Sequence, residues 1–239
     1  MSQIVDFHSH VLPGIDDGSK DSEMSLKMLR ILAKQGVTHV VATPHFYPQH
    51  DTPERFLRRR AEAEAVLREA MAGEPGLPAL SIGAEVYYYN GMSDSDAIKD
   101  LTIDKNRCIL LEMPGMPWTD AMYREMEALY VKRGLLPVVA HVDRYISRFR
   151  THGVFERLEK LPVLVQANAE FFLDRATARM ALRMLKKGAI HLLGSDCHNL
   201  TDRKPNLGEA VELIRQHLGP GALEHIGFHE QMALEGKMV

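Results

Sequence analysis

The chain has 239 residues, 45% of them hydrophobic and 26% charged, which supplies enough apolar surface for one large core and excludes a collagen-like or disordered polymer. Lys and Arg number 29 against 32 Asp and Glu, a formal net charge of -3 without a block of like charge, so binding along a nucleic-acid backbone is disfavoured. Two cysteines are too few for a disulfide framework and fit a reducing cytoplasm; with no signal-peptide pattern and no run approaching ~18 apolar residues, neither export nor membrane insertion is expected.

Short apolar runs rich in β-branched residues alternate with longer amphipathic stretches, the βα pattern of a parallel sheet. The first strand covers about Ile4 to Phe7. A helix from about Asp21 to Gln35 follows, with Leu26, Leu29 and Ala33 on one side and Gly36 closing it. After a second strand, Val37 to Thr43, Thr52 can cap and Pro53 can open a helix to Met71, whose Arg58, Arg59, Arg60 and Glu62 are read as a solvated face. A turn at Glu74 to Pro78 precedes strands at Ala79 to Ala84 and Cys108 to Glu112. Gly134 closes the next helix, and strands follow at Leu135 to Ala140, Val163 to Ala167 and, beyond Gly188, Ala189 to Gly194. Met122, Met126, Met180 and Met184 read as core packing. With no repeat, low-complexity segment or linker, residues 1–239 are expected to form one α/β domain, a closed or nearly closed βα barrel of seven strands. Whether it forms a homo-oligomer is left open.

Twelve histidines against two cysteines direct attention to imidazole-rich metal sites. In a βα barrel the working face lies where the strands finish. His8 and His10 follow the first strand, two apart and so pointing the same way in extended chain, and Asp17 follows in the turn Asp16-Asp17-Gly18. His45 follows the second strand, Glu85 the third, Glu112 the fourth, His141 the fifth, and Asp196 and His198 the seventh. Each alone is weak, since Asp-Asp-Gly is commonly a turn and a Glu after a strand often caps a helix. Together, five imidazoles and four carboxylates on one face need cations to offset their burial. His39, His50, His152, His191, His217, His225 and His229 are left as surface or core residues.

Imidazole and carboxylate donors without thiolate suit Mn, Fe or catalytic Zn with positions open to water. Four carboxylates would leave two divalent ions neutral and three with a surplus of about +2, which draws an anionic substrate such as a phosphate ester. Arg144, three residues past His141, and Arg203, seven past Asp196, could present guanidinium forks to phosphate at the same mouth.

These residues resemble the polymerase and histidinol phosphatase (PHP) superfamily, and more narrowly its bacterial protein-tyrosine phosphatase branch of the CpsB/YwqE type. The match runs through Asp6-x-His8-x-His10-x-x-Pro13-Gly14-x-Asp16-Asp17-Gly18, Ala42-Thr43-Pro44-His45, Gly83-x-Glu85, Leu111-Glu112-x-Pro114, His141-x-x-Arg144-Tyr145 and Ser195-Asp196-x-His198-Asn199, nearly the whole chain. The resemblance implies a distorted (βα)7 TIM-like barrel with a trinuclear centre, Mn2+-dependent activity, and hydrolysis of phosphotyrosine on a bacterial tyrosine autokinase in capsule or exopolysaccharide synthesis. It also implies metal binding by His8, His10, Asp17, His45, Glu85, Glu112, His141, Asp196 and His198, and catalytic phosphate binding by Arg144 and Arg203. Attack on phosphorus is expected from a metal-bridging hydroxide whose pKa the cations lower. Val142 and Asp143 replace the family's usual Pro and Glu, Cys197 a frequent Ala, and Phe46 a common second His; these leave the shape of the substrate rim open.

Three rival readings are weaker. Cys197 and Arg203 have the C-x5-R spacing of thiol-dependent tyrosine phosphatases, but the loop between them lacks the glycine that lets backbone amides cradle phosphate. A metal-dependent phosphatase of histidinol phosphate, nucleotides or sugar phosphates would use the same donors. A module that only binds phosphorylated tails is disfavoured because no ligand position is missing.

Overall fold

The computed structural model describes residues 3–149 and 153–238; His152 lies outside them. Strands β1 (Val5–Ser9), β2 (His39–Ala42), β3 (His45–Phe46), β4 (Ala79–Ile82), β5 (Glu85–Tyr87), β6 (Cys108–Glu112), β7 (Leu136–Val139), β8 (Leu164–Asn168) and β9 (Leu192–Gly194) are flanked by helices α1 (Ser22–Lys34), α2 (Pro53–Met71), α3 (Asp120–Arg133), α4 (Asp143–Phe149), α5 (Val154–Leu158), α6 (Ala169–Leu173), α7 (Ala178–Lys186), α8 (Leu207–Leu218) and α9 (Pro220–Leu234). Every strand pair is parallel. The seven expected strands become nine because two of them break and resume. Pro44, which has no N–H for the ladder, separates β2 from β3. Gly83 separates β4 from β5 where a Cβ would lie 3.0 Å from Ile103 Cγ1.

The breaks divide the curled sheet into a lower part, β1-β2-β4, and an upper part, β3-β5-β6-β7-β8-β9. Backbone bonds carry it across the seams, from Thr43 N–H to Ser9 O at 2.8 Å and from Glu85 N–H to Pro44 O at 3.0 Å. The circuit closes where His10 N–H donates to Cys197 O at 3.0 Å and Asp196 N–H to His8 O at 2.8 Å. A 3-10 turn at Ile103–Lys105 lies against both β4 and β6 and distorts the lower rim. There Asp104 Oδ1 accepts the Ile82 N–H at 2.8 Å.

Val5, Phe7, Val41, Cys108, Leu110, Leu136, Val138, Leu164 and Leu192 fill the barrel interior, joined by Ala233 of α9 from the lower end. Asn106 ties α9 there, its side-chain amide donating to Ala233 O and Leu234 O, both at 3.0 Å. The larger core lies between strands and helices and takes in Met126, with Met122, Met180 and Met184 packed against it.

Local signals act as chemistry dictates: Thr52 Oγ1 accepts the Arg55 N–H at 3.3 Å, and Gly36, Gly134 and Gly188 follow their helices with positive φ. Two expectations need correction. The buried side of α1 is Ser25, Met28, Leu29 and Leu32, with Leu26 and Ala33 only half-buried. Arg60 does not face water: it is 8% exposed and donates to Gly83 O, at the break before β5, and to Asp100 O, in a 3-10 turn at Asp96–Leu101, each at 2.9 Å. Paired with carbonyl oxygens the charge is tolerable inside, and its guanidinium carbon lies over the Phe56 ring, 5.6 Å from the centroid.

Candidate metal centre

Inward-facing positions on β1 begin with Val5 and Phe7, so strict alternation would turn His8 away from the barrel with Asp6. A register shift between Asp6 and Ser9 reverses this: Val5 pairs with His39, but Ser9 pairs with Ala42. The bulge adds one residue, and His8 and His10 now share the interior face. His45 and Glu85 lie on β3 and β5 rather than beyond strand ends, because the broken strands resume under them, while Glu112 is the last residue of the unbroken β6. His141 and Asp196 take left-handed φ values of 32° and 52°, a strained backbone that turns each side chain in just past its strand.

Glu85, fully buried, is the centre of the cluster. Its Oε1 meets His141 Nε2 at 2.7 Å, and its Oε2 lies 2.9 Å from His45 Nδ1, 3.2 Å from His8 Nε2 and 3.4 Å from His10 Nε2. Asp196 Oδ1 is 3.6 Å from His8 Nε2 and 3.4 Å from His10 Nε2. Asp17, the exposed member, approaches His45 Nε2 and His198 Nε2, both at 3.4 Å. Among the described residues, three sets of donor atoms each lie within 4.8 Å of one another: His10, Asp17, His45 and His198; His8, His10 and Glu85; His45, Glu85 and Glu112. His141 stands beside these sets through Glu85, and Asp196 is held by arginines. Arg144, on α4, bonds one carboxylate oxygen of Asp196, and Arg203 donates to the other at 2.9 Å. Both guanidiniums are about one-third exposed at the mouth.

The donors fit divalent cations. Glu85 Oε2, Glu112 Oε2, His141 Nδ1 and His198 Nε2 are buried without a hydrogen-bond partner among the described residues, although Glu85 Oε2 is close to three ring nitrogens. His8 Nε2 and His10 Nε2 face each other at 3.2 Å. Lone pairs aimed at shared space rather than at donors are what a cation site requires. Burial works against the charge on Glu85, but His8, His10, His141 and His45 outweigh it and hold the carboxyl well below the usual range. Asp196 is lowered in the same way against burial, by His8, His10 and Arg144. Burial and the adjacent His10 push His198 down to about 3, leaving its imidazole neutral near pH 7.

Sequence reasoning missed the residues that hold these donors. Asp16, read only as part of a turn, accepts from His10 Nδ1 at 2.8 Å, from His45 N–H at 3.1 Å and from Gly18 N–H at 2.9 Å, fixing the His10 ring so that Nε2 faces inward. Strand β8 supplies no donor; it carries Gln166, whose Oε1 accepts the His141 N–H at 2.6 Å and whose Nε2 donates to Asn168 Oδ1 at 3.1 Å. Asn168 in turn donates to Asp196 at 2.9 Å. A signal existed, since Gln166 and Asn168 are polar residues two apart in an otherwise apolar strand. Tyr47 stacks on His45, ring centroids 5.1 Å apart, with its hydroxyl 3.2 Å from Nδ1.

Gly194 faces this network from β9, and a Cβ there would fall 2.6 Å from His8 Cβ and 2.8 Å from Gln166 Nε2. Gly194→Ala should therefore lower stability by ~1–3 kcal/mol and activity by up to ~10²-fold through displaced His8. Thermal melts read the first effect and turnover the second; an unchanged melt would show that the contact is relieved at no cost.

The thiol route has no geometry here: Cys197 is fully buried, and burial followed by Asp6 pushes its thiol well above the usual range.

A family model described as capsular polysaccharide synthesis, CpsB/CapC, matches residues 4–234. The tyrosine-protein phosphatase CpsB of Streptococcus agalactiae serotype III is 28% identical over 227 residues, covering 90% of this chain and 91% of the relative. The tyrosine-protein phosphatase YwqE of Bacillus subtilis is 26% identical over 223 residues, covering 90% and 85%. A chain from the crystal structures of YwqE from Bacillus subtilis and CpsB from Streptococcus pneumoniae, described as metal-dependent tyrosine phosphatases, superposes with a TM-score of 0.86 at 23% identity, over 99% of this chain and 96% of the other.

Proposed function

The chain belongs to the CpsB/CapC family, and from that premise we propose that it is a metal-dependent phosphatase of protein phosphotyrosine. The observation that carries the reading is the convergence of imidazole and carboxylate donors with two guanidiniums at one barrel mouth. His8, His10, Asp17, His45, Glu85, Glu112, His141, Asp196 and His198 would hold two or three divalent ions, with Mn2+ as the activating ion for a donor set of this hardness. When bound, the ions supply Lewis acidity and a water nucleophile of lowered pKa.

The protein's own residues do the rest. Arg144 and Arg203 bind and orient the phosphoryl oxygens, forks matched to a tetrahedral anion. Asp16 and Gln166 keep the His10 and His141 groups in register while charge develops. A tyrosine leaving group, pKa ~10, departs more easily than an alkoxide and needs less help from a proton donor, so a dedicated acid is optional. The substrate we infer is a phosphorylated tyrosine autokinase of the polysaccharide machinery, met in the cytoplasm. No helix among the described residues is long and apolar enough to cross a membrane.

The test compares a phosphotyrosine peptide, a phosphoserine peptide and histidinol phosphate in Mn2+ buffer, before and after chelation. Preference for phosphotyrosine, lost with chelator and restored by Mn2+, is expected. Turnover indifferent to chelation, or a clear preference for histidinol phosphate, refutes the reading.

A further inference from the structure

The arginine-rich start of α2 has three fates. Arg60 enters the core, Arg58 faces solvent, and Arg55 and Arg59, one turn apart, line a cavity of about 410 Å³ that also takes in Asp17, His45, Tyr47 and Asp51. The cavity therefore opens directly off the candidate metal centre, sharing Asp17 and His45 with it. Asp51 stands between the two guanidiniums, 3.4 Å from Arg55 Nε and 2.9 Å from Arg59 Nη2. Its single charge offsets only one of them. Asp16, also on the lining, is engaged by His10, and Asp17 would be taken up by bound cations, so in the metal-loaded protein Arg55 and Arg59 face Asp51 alone, a surplus of one positive charge open to water. Arg55, its side chain 63% exposed, makes no other ion pair among the described residues.

We propose that this cavity seats an acidic side chain flanking the phosphotyrosine, with Arg55 and Arg59 as specificity-determining residues. The inference rests on the phosphotyrosine reading and deepens it. The charge complements a carboxylate, while the Tyr47 ring on the inner side, stacked on His45 and 5.6 Å from Tyr87, gives the adjoining peptide an aromatic wall. Because the cavity shares Asp17 and His45 with the donor sets, the residue it meets is one close in sequence to the phosphotyrosine, extended chain advancing ~3.3–3.6 Å per residue. Small aryl phosphates, having no flank, gain nothing from the cavity.

The experiment measures kcat/KM for phosphotyrosine peptides carrying Glu or Gln at neighbouring positions, with p-nitrophenyl phosphate as the flankless control. The metal-loaded enzyme should favour the Glu peptide by about threefold per exposed charge pair, with the preference shrinking as salt is added. The double variant Arg55→Ala with Arg59→Ala should erase the preference and leave p-nitrophenyl phosphate turnover unchanged. Because Arg59 also reaches Ile15 O at 3.4 Å and could disturb the loop before Asp16, Arg55→Glu serves as the second variant, and it should favour a Lys-flanked peptide. Asp51→Asn should move the other way and strengthen the Glu preference. Equal kcat/KM for Glu and Gln peptides in the parent enzyme, or a preference that survives both arginine variants, overturns this proposal alone. Failure to turn over any phosphotyrosine peptide while p-nitrophenyl phosphate is hydrolysed overturns the phosphotyrosine reading and this proposal with it.

Discussion

Glu85→Gln is expected to reduce turnover by about a thousandfold and to reduce the metal content of the purified protein in parallel. The reason is the number of partners that one carboxylate serves. Glu85 lies within 2.7–3.4 Å of nitrogens from His141, His45, His8 and His10, and it belongs to two of the three donor sets. Glutamine keeps the shape but removes a fully buried negative charge from among those rings, so cations lose both a ligand and part of the charge that offsets them. The imidazoles add a pH signature. Against burial, Asp16 holds His10 well above its usual value in the cation-free protein, and Glu85 and Asp196 raise His8. Cation binding must therefore release protons, and parent affinity for Mn2+ should rise with pH. In Glu85→Gln one of the groups that raises His8 is gone, so the rise should be shallower. Elemental analysis, turnover and Mn2+ titration at several pH values check this. Near-normal metal content with near-normal activity would remove Glu85 from the centre.

The parts legible in the sequence and the parts hidden from it differ for physical reasons. Strands and caps were visible because their signals are local: β-branched runs, Thr52-Pro53, and glycines after helices. The donors were visible because titratable residues placed near strand ends follow a simple topological rule. What stayed hidden depends on partners distant in the chain. Gln166 is an ordinary polar residue until β8 sets it 2.6 Å from the His141 N–H, 25 positions away. Arg60 looks like its exposed neighbours until Gly83 and Asp100 offer it carbonyl oxygens. The bulge in β1 lies between these cases: the H-x-H spacing shows that two imidazoles share a side, but only pairing with β2 shows which side.

Removing either guanidinium should produce the opposite combination of effects. Arg144→Ala and Arg203→Ala are each expected to lower kcat/KM by ~10²-fold, the size typical of losing one charged or polar stabiliser of a transition state. Metal content should stay the same or rise. Both arginines bond Asp196, and both place positive charge beside the donor cluster, so deleting one eases cation binding while it weakens the hold on phosphate. Lysine replacements should recover little, because an ammonium restores charge without the planar fork. The double variant should fall short of the product of the two single losses, since the residues share one carboxylate partner and one phosphoryl group and do not act independently. Steady-state kinetics with p-nitrophenyl phosphate, alongside metal analysis, separates this pattern from a collapsed site. Parallel loss of metal and activity would mean that the arginines support the fold of the mouth, and an arginine variant with parental kcat/KM would dismiss it from phosphate binding.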